Sequence, residues 1–458
     1  MDTRVLSFRV ALDAQPLSKF QVRLVALAVA LLIMDGYDTQ AIGYIAPVLS
    51  GLWHLDRGAF GPIFGAGLFG LTLGTLVFAP ISDRIGCRPV LICCTVAYGA
   101  LTLATALADS WNTLLILRFL TGLGLGGAMP STIALVSDYS PTRNRNFLVA
   151  IAVCGFAFGG AAGGFVAAAT IQTFGWQCIF IVGGVVPLVT LPFLMRWLPE
   201  SLPRLLADPE PRQRLARVAA QLVPGWTVSK AAEPVLAAEQ LRFPVAQLFS
   251  KGYTVQTLLI WSMFFCNLLL LYFFVNWIPT VATSSGQSLQ AANLTTGIFQ
   301  LVGIVGALVL AFVSDRSGRP QVVLAIAYGG AALCCWLFGA AAGSKPTVLI
   351  ASAAVAGFCI LGAQGVINAF TGNYYPAAIR ATGVGWGLGI GRFGSILGPL
   401  VGGILISLHM TTETLFAVFA VPALLAALCA SFVKRSPDQV LLSEAVGGAK
   451  LPQTASAA

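Results

Sequence analysis

The sequence predicts an all-α membrane protein, twelve transmembrane helices arranged as two pseudo-symmetric six-helix bundles. Three observations lead there. Of 458 residues, 57% are hydrophobic and 9% charged, whereas a soluble domain carries about 25% charged residues. Twelve apolar runs are each long enough, at about 20 residues, to cross a hydrocarbon core as a helix. The second half of the chain also repeats landmarks of the first, in the same order.

The runs lie at 22–48, 59–81, 89–108, 112–137, 147–171, 176–198, 254–281, 291–313, 321–342, 346–373, 381–408 and 412–433. Glycine and proline inside them are compatible with spanning helices, because neighbouring helices satisfy the backbone groups they free. The expected organisation is a tail at 1–21, an N-terminal bundle at 22–198, a linker at 199–253, a C-terminal bundle at 254–433 and a second tail at 434–458. The first twenty residues hold no signal-peptide core and no small-residue cleavage site, so the first run is read as an uncleaved helix. The linker carries Arg204, Arg212, Arg214, Arg217, Lys230, Arg242 and Lys251 with several prolines. It reads as a solvated tether rather than a regulatory surface helix.

The formal charge of +9 does not indicate nucleic acid, because the basic residues form no run or stripe. Topology explains them. With a cytoplasmic N-terminus, the inner side holds Arg4, Arg9, Lys19, Arg23, Arg84, Arg88, Arg143, Arg145, Arg316, Arg319, Arg380, Lys434, Arg435 and the linker's cations; the outer loops hold Arg57 and Lys345. The positive-inside rule therefore puts both termini in the cytoplasm. Ten cysteines, without CxxC spacing or a nearby histidine, read as small buried thiols rather than metal ligands or disulfides.

The repeat is explicit. Ser82-Asp83-Arg84-Ile85-Gly86-Cys87-Arg88-Pro89 after the second run returns as Ser314-Asp315-Arg316-Ser317-Gly318-Arg319-Pro320 after the eighth. Tyr139-Ser140-Pro141-Thr142-Arg143-Asn144-Arg145 returns as Tyr374-Tyr375-Pro376-Ala377-Ala378-Ile379-Arg380, and Gly155, Gly159, Gly163, Gly164 as Gly394, Gly398, Gly402, Gly403. Parallel repeats of this kind belong to secondary transporters, with the substrate site near the midplane between the halves.

Four ionisable residues are deeply embedded: Asp35, Asp38, Arg118 and Arg392. A charge at the centre of a membrane helix costs roughly 2.5–3.5 kcal/mol on insertion scales, so each needs a reason. At about 1.5 Å per residue, Asp35 and Arg118 reach similar depths, and Arg118 is expected to pair with Asp35 or Asp38. The two acids, three apart, share a helix face. Burial and mutual repulsion oppose charge on them while Arg118 favours it, a balance suited to carrying a proton; a static ion pair would need one acid, not two. Arg392 sits mid-span in the other half, where no embedded acid is available to neutralise it. Its guanidinium fork suits a carboxylate ligand; the alternative is an arginine bonded to helix-terminal carbonyls.

The Asp-Arg-x-Gly loops in both halves, Asp83-Arg84-x-Gly86 and Asp315-Arg316-x-Gly318, resemble the signature of the major facilitator superfamily. Within it, Asp35-Gly36-Tyr37-Asp38 resembles the aromatic acid:proton symporter family. So do Arg118-Phe119-Leu120-Thr121-Gly122-Leu123-Gly124-Leu125-Gly126-Gly127, Val182-Gly183-Gly184-Val185-Val186-Pro187 with Leu198-Pro199-Glu200-Ser201, and Arg380-Ala381-Thr382-Gly383-Val384-Gly385-Trp386 with Gly391-Arg392. The similarity spans nearly the whole membrane portion. Departures are Ala79 and Ala311 where the loop usually has glycine, and Cys87 in place of its first arginine.

The resemblance implies proton-coupled uptake of a small aromatic carboxylate by alternating access, in a bacterial inner membrane. The substrate would be of hydroxybenzoate type: 4-hydroxybenzoate, protocatechuate, 3-hydroxybenzoate or gallate. Asp35, Asp38 and Arg118 would couple protons. Arg392 would hold the substrate carboxylate, with Tyr37, Asn276, Trp277, Gln364 and Asn368 around the ring, beside Tyr272, Phe273 and Phe274. Asp83, Arg84, Arg88, Asp138, Arg145, Asp315, Arg316, Arg319 and Arg380 would form cytoplasmic gate pairs. No cofactor is expected beyond the proton gradient; the partners are the aromatic acid, protons and the bilayer, and the chain is expected to act as a monomer.

The competing reading is a proton antiporter exporting aromatic or amphiphilic compounds. Gly160, where such antiporters have proline, argues against it, and Pro399 in the eleventh run argues the other way. A transport-inactive sensor would need a signalling domain, for which neither terminus has room. An enzyme is excluded by the lack of a His, Cys or Ser constellation near the embedded acids.

Overall fold

A computed structural model describes residues 11–207, 222, 244–250, 253–341, 345–376 and 379–433. Most of the expected linker 199–253 and the tail 434–458 lie outside the described residues, as does the tail 1–21 up to residue 10.

Among the described residues, twelve helices are long and apolar enough to span a membrane: α1 Lys19–Leu52, α2 Arg57–Ser82, α3 Cys87–Thr105, α4 Trp111–Tyr139, α5 Phe147–Phe174, α6 Gln177–Trp197, α7 Thr254–Ser284, α8 Leu289–Ser317, α9 Pro320–Ala341, α10 Pro346–Tyr374, α11 Thr382–Ser407 and α12 Thr412–Phe432. Local chemistry sets several starts. Ser18 and Gln21 form a reciprocal capping box at α1, and Ser110, Ser288 and Thr411 cap α4, α8 and α12 with side-chain oxygens, each satisfying an amide the first turn leaves open. The repeated loop glycines, Gly86 at φ 105° and Gly318 at φ 61°, occupy a backbone region that side chains disfavour.

Packing repeats with the sequence. Within the first half α1 lies on α5, α2 on α4 and α3 on α6; in the second, α7 lies on α11, α8 on α10 and α9 on α12. Large apolar side chains such as Leu76, Phe147, Ile326 and Val421 point outward, which is stable where lipid replaces water. Inside, small residues let backbones touch. A Cβ on Gly36 would overlap the Phe156 carbonyl of α5, and one on Gly159 the Ile33 carbonyl of α1.

The halves meet along α1–α7, α2–α11 and α5–α8. Closure is tightest at the face away from the start of α1. There Ser407 donates to Asp56 at 2.6 Å, and Gly403 lies so close that a Cβ would sit 2.7 Å from the Gly58 oxygen and 2.9 Å from the Gly61 Cα. Gly164 abuts Gly297 in the same manner, and Phe64 of α2 meets Trp277 of α7 edge-to-face at 5.1 Å. Gly403→Leu is therefore expected to hold the halves apart here. A pair of spin labels at positions 56 and 407 would report a lengthened distance; an unchanged distance would refute this closure.

Candidate functional site

Successive α1 residues turn about 100° apart, so Asp35-Gly36-Tyr37-Asp38 addresses several neighbours at once. Gly36 packs on α5. The Tyr37 hydroxyl donates to the Ile179 carbonyl of α6 at 3.2 Å, which seats Tyr37 inside the N-terminal half. Asp38, fully buried, accepts from Thr102 of α3 at 2.8 Å and faces Arg118 of α4, with 3.6 Å between Arg118 Nη1 and Asp38 Oδ2. Arg118 also donates to Thr105 at 3.0 Å and Thr121 at 3.3 Å, and its guanidinium lies 4.8 Å from the Phe180 ring centroid. The arginine expected to pair with one of the two acids thus pairs with Asp38, inside one half.

Asp35 is held differently. It is 1% exposed and accepts a hydrogen bond from Thr39 at 3.3 Å. It interacts electrostatically with Arg392 of α11, which also lies near Tyr272 of α7. The sequence-based expectation that no embedded acid stands near Arg392 is therefore corrected. α1 crosses to the second half at this depth, so an acid that is remote in sequence becomes the arginine's neighbour. Of the four embedded charges, Asp38 and Arg118 pair within the first half, and Asp35 lies within electrostatic reach of Arg392 across the boundary between halves.

Beside the first couple lies a cavity of about 20 Å³, lined by Asp38, Thr39, Arg118 and Asn276 with apolar neighbours including Phe64 and Leu68. It has room for about one water. Asp38 Oδ2 and Arg118 Nε are buried without a hydrogen-bond partner, so a water there would have polar atoms to bind.

Three expected ring-lining residues are otherwise engaged. Trp277 is fully enclosed, its indole donating to the Pro399 carbonyl at 3.0 Å. Phe273 and Phe274 pack into an aromatic cluster with Phe416 and Phe419 or Phe338. Asn276 donates to the Tyr272 carbonyl at 2.7 Å while lining the small cavity. Gln364 and Asn368 are half-buried and bonded to each other at 3.2 Å.

The residues expected to form the gate sit at the face where α1 begins. The Asp83 side chain lies outside the described residues. Arg84 is exposed, its carbonyl accepting from Arg204 at 3.0 Å. The Arg88 guanidinium donates to the Met195 carbonyl at the end of α6, and its amide to Glu200 at 3.3 Å. Asp138 and Arg145 are half-buried; Asp315, Arg316, Arg319 and Arg380 are exposed, Arg380 reaching the Tyr375 carbonyl at 3.5 Å. Cys87 accepts from Ser82 at 3.3 Å, so the residue in the arginine's place is a packed thiol.

Sequence reasoning missed three features. Glu200 fastens the first loop, since any side chain at Gly86 would strike its carboxylate. Gln40 of α1 accepts from Gln300 of α8, joining the halves. Gly160 leaves the room Gln40 occupies, while its carbonyl accepts from Tyr44 at 2.6 Å. Embedded amides in otherwise apolar runs were the available signal for the Gln40–Gln300 bridge.

The two acids are expected to respond unequally to neutralisation. Asp38→Asn leaves a buried guanidinium without its anion and should destabilise the protein by about 3–5 kcal/mol, whereas Asp35→Asn should cost far less. Thermal unfolding of the two variants in detergent checks the order; equal losses would contradict the division.

A model of the Major Facilitator Superfamily matches residues 28–286 and 260–454. The chain is 40% identical to the gallate transporter of Pseudomonas putida over 420 residues, 91% of this chain and 92% of the relative. It is 38% identical to a 4-hydroxybenzoate transporter of Pseudomonas aeruginosa over 423 residues, covering 92% and 94%. In fold it is similar to the inward open xylose transporter of E. coli, with a TM-score of 0.71 and 17% identity over 91% of this chain and 97% of that one.

Proposed function

Because the chain belongs to the Major Facilitator Superfamily, and within it to the aromatic acid:proton symporter family, we propose that this multi-pass membrane transporter takes up a small hydroxybenzoate-type acid together with protons. Relatives at 38–40% identity are named for gallate and 4-hydroxybenzoate. The observation that carries the reading is a buried acid, Asp35 on α1, within electrostatic reach of Arg392 on α11 of the other half.

A guanidinium in a low-dielectric site is best satisfied by one carboxylate in close geometry. Asp35 and a substrate carboxylate therefore compete for Arg392. A proton on Asp35 removes its claim and leaves the fork to the substrate; loss of the proton restores the internal couple and expels the anion. Proton and substrate thus travel together, without any group besides the chain's own side chains. Asp38 stays paired to Arg118 and fixes α1 against α3 and α4, so that one acid carries the proton and the other anchors it. Asn276, Gln364 and Asn368 contribute polar contacts around the ring.

The bias of Lys and Arg toward one face supports cytoplasmic termini in a bacterial inner membrane. In that orientation the face closed by Asp56–Ser407 and Gly403 is the outer one. Opening it would break the Gln40–Gln300 bridge and the Phe64–Trp277 contact. One proton per monovalent anion makes the cycle electroneutral and driven by the pH gradient; a second would add about 2.3 kcal/mol per 100 mV.

Uptake of radiolabelled 4-hydroxybenzoate and gallate into proteoliposomes under an imposed pH gradient tests the proposal, and a protonophore should abolish accumulation. Asp35→Asn is expected to lose accumulation while retaining exchange of internal for external substrate. If that variant still concentrates substrate, Asp35 is not the carrier. Arg392→Lys should weaken carboxylate binding about tenfold; unchanged affinity would remove Arg392 from the site.

A further inference from the structure

A chain of three side-chain amides links α7 and α10 in the second half. Asn267 of α7 is fully buried and donates through Nδ2 to Gln364 Oε1 of α10 at 2.5 Å. Gln364 donates in turn to Asn368 Oδ1 at 3.2 Å. Gln364 and Asn368 are half-buried where Asn267 is closed off, so the chain has a sealed end and an accessible one. The sealed end is not saturated: Asn267 Oδ1 is buried without a hydrogen-bond partner. An amide in that condition is costly in an apolar helix, and packing alone would be served better by leucine.

The chain stands at the depth of Arg392. A Cβ on Gly391 would meet Leu268 and the Phe264 carbonyl, and one on Gly394 the Phe265 carbonyl, so these α11 residues lie against the α7 turn that carries Asn267. An anion on Arg392 would therefore have the amide chain within the same layer of the protein.

The polarity of such a chain is reversible. As drawn, each amide donates toward Asn368, whose own NH2 remains to donate. With all three amides turned over, Asn267 Oδ1 accepts from Gln364, Gln364 accepts from Asn368, and an Asn368 carbonyl is presented instead. In either setting one partner fits without penalty: a hydroxyl, which both donates and accepts.

We infer that Asn267, Gln364 and Asn368 form a subsite that reads the ring hydroxyl of the substrate, with Asn267 as the positioning residue that aligns the other two from the closed interior. The inference rests on the aromatic-acid reading and deepens it, separating hydroxylated benzoates from benzoate itself. A site that hydrogen-bonds a substrate hydroxyl discriminates against the analogue lacking it, because its polar groups are then left unpaired.

The test is calorimetric binding of benzoate, 3-hydroxybenzoate and 4-hydroxybenzoate to the full-length protein in nanodiscs, for the native chain, Asn267→Leu and Asn368→Leu. The native protein is expected to prefer a hydroxylated acid over benzoate. Both variants are expected to weaken the preferred hydroxybenzoate about tenfold while leaving benzoate unchanged, so the preference collapses. A general packing defect would lower all three ligands together. Equal losses across the ligands, or a preference preserved in Asn267→Leu, overturns the subsite but leaves the transporter reading standing. Failure of the native protein to bind any of the three overturns both.

Discussion

Two carboxylates and two guanidiniums share the middle of an otherwise apolar molecule, and the rest of the architecture is arranged around keeping them satisfied. Isolated charges at this depth would cost several kcal/mol each. Asp38 and Arg118 meet that demand locally, with Thr102, Thr105, Thr121 and the Phe180 ring completing the shell. Asp35 and Arg392 stand on opposite sides of the boundary between bundles, within electrostatic reach of one another. The first couple is therefore part of one half's interior, and the second depends on how the halves are assembled.

That difference links packing to function. A couple shared between two bodies is sensitive to any rearrangement of those bodies and to any competing anion. The glycines do the complementary work. Gly36 and Gly159 bring α1 and α5 into backbone contact, giving the charged helix a rigid backing. Gly58, Gly61 and Gly403 allow α2 and α11 to close one face completely. Close-packed interfaces have discrete arrangements rather than a continuum, which suits a protein whose proposed cycle alternates between two of them.

The internal repeat extends from motif to packing. Each half pairs its first helix with its fifth, its second with its fourth and its third with its sixth. Yet chemistry broke the symmetry: both acids stand on α1, and α7 carries Asn267, Tyr272 and Asn276 at its centre. The N-terminal half holds the groups proposed to handle protons, and the C-terminal half the arginine and amides proposed to handle the substrate. Coupling then has to pass between halves, where Gln40–Gln300 is a direct hydrogen bond and Asp35 lies within electrostatic reach of Arg392.

The sequence by itself determined the twelve spans, the two-fold repeat and the identity of the four embedded charges. Those features follow from run length, local periodicity and the rarity of charge in apolar segments, all of which are properties of short stretches. It also narrowed Arg118 to two partners. Only the tertiary structure decided that Asp38 was the one, that Arg392 has Asp35 for a neighbour, and that Trp277, Phe273 and Phe274 are packed among helices. Such facts depend on the rotation of each helix about its axis and on contacts between residues hundreds of positions apart. An all-round apolar helix carries little amphipathic signal to reveal which face turns inward, so the faces were settled by glycine approaches such as Gly36 on Phe156 and Gly160 beside Gln40.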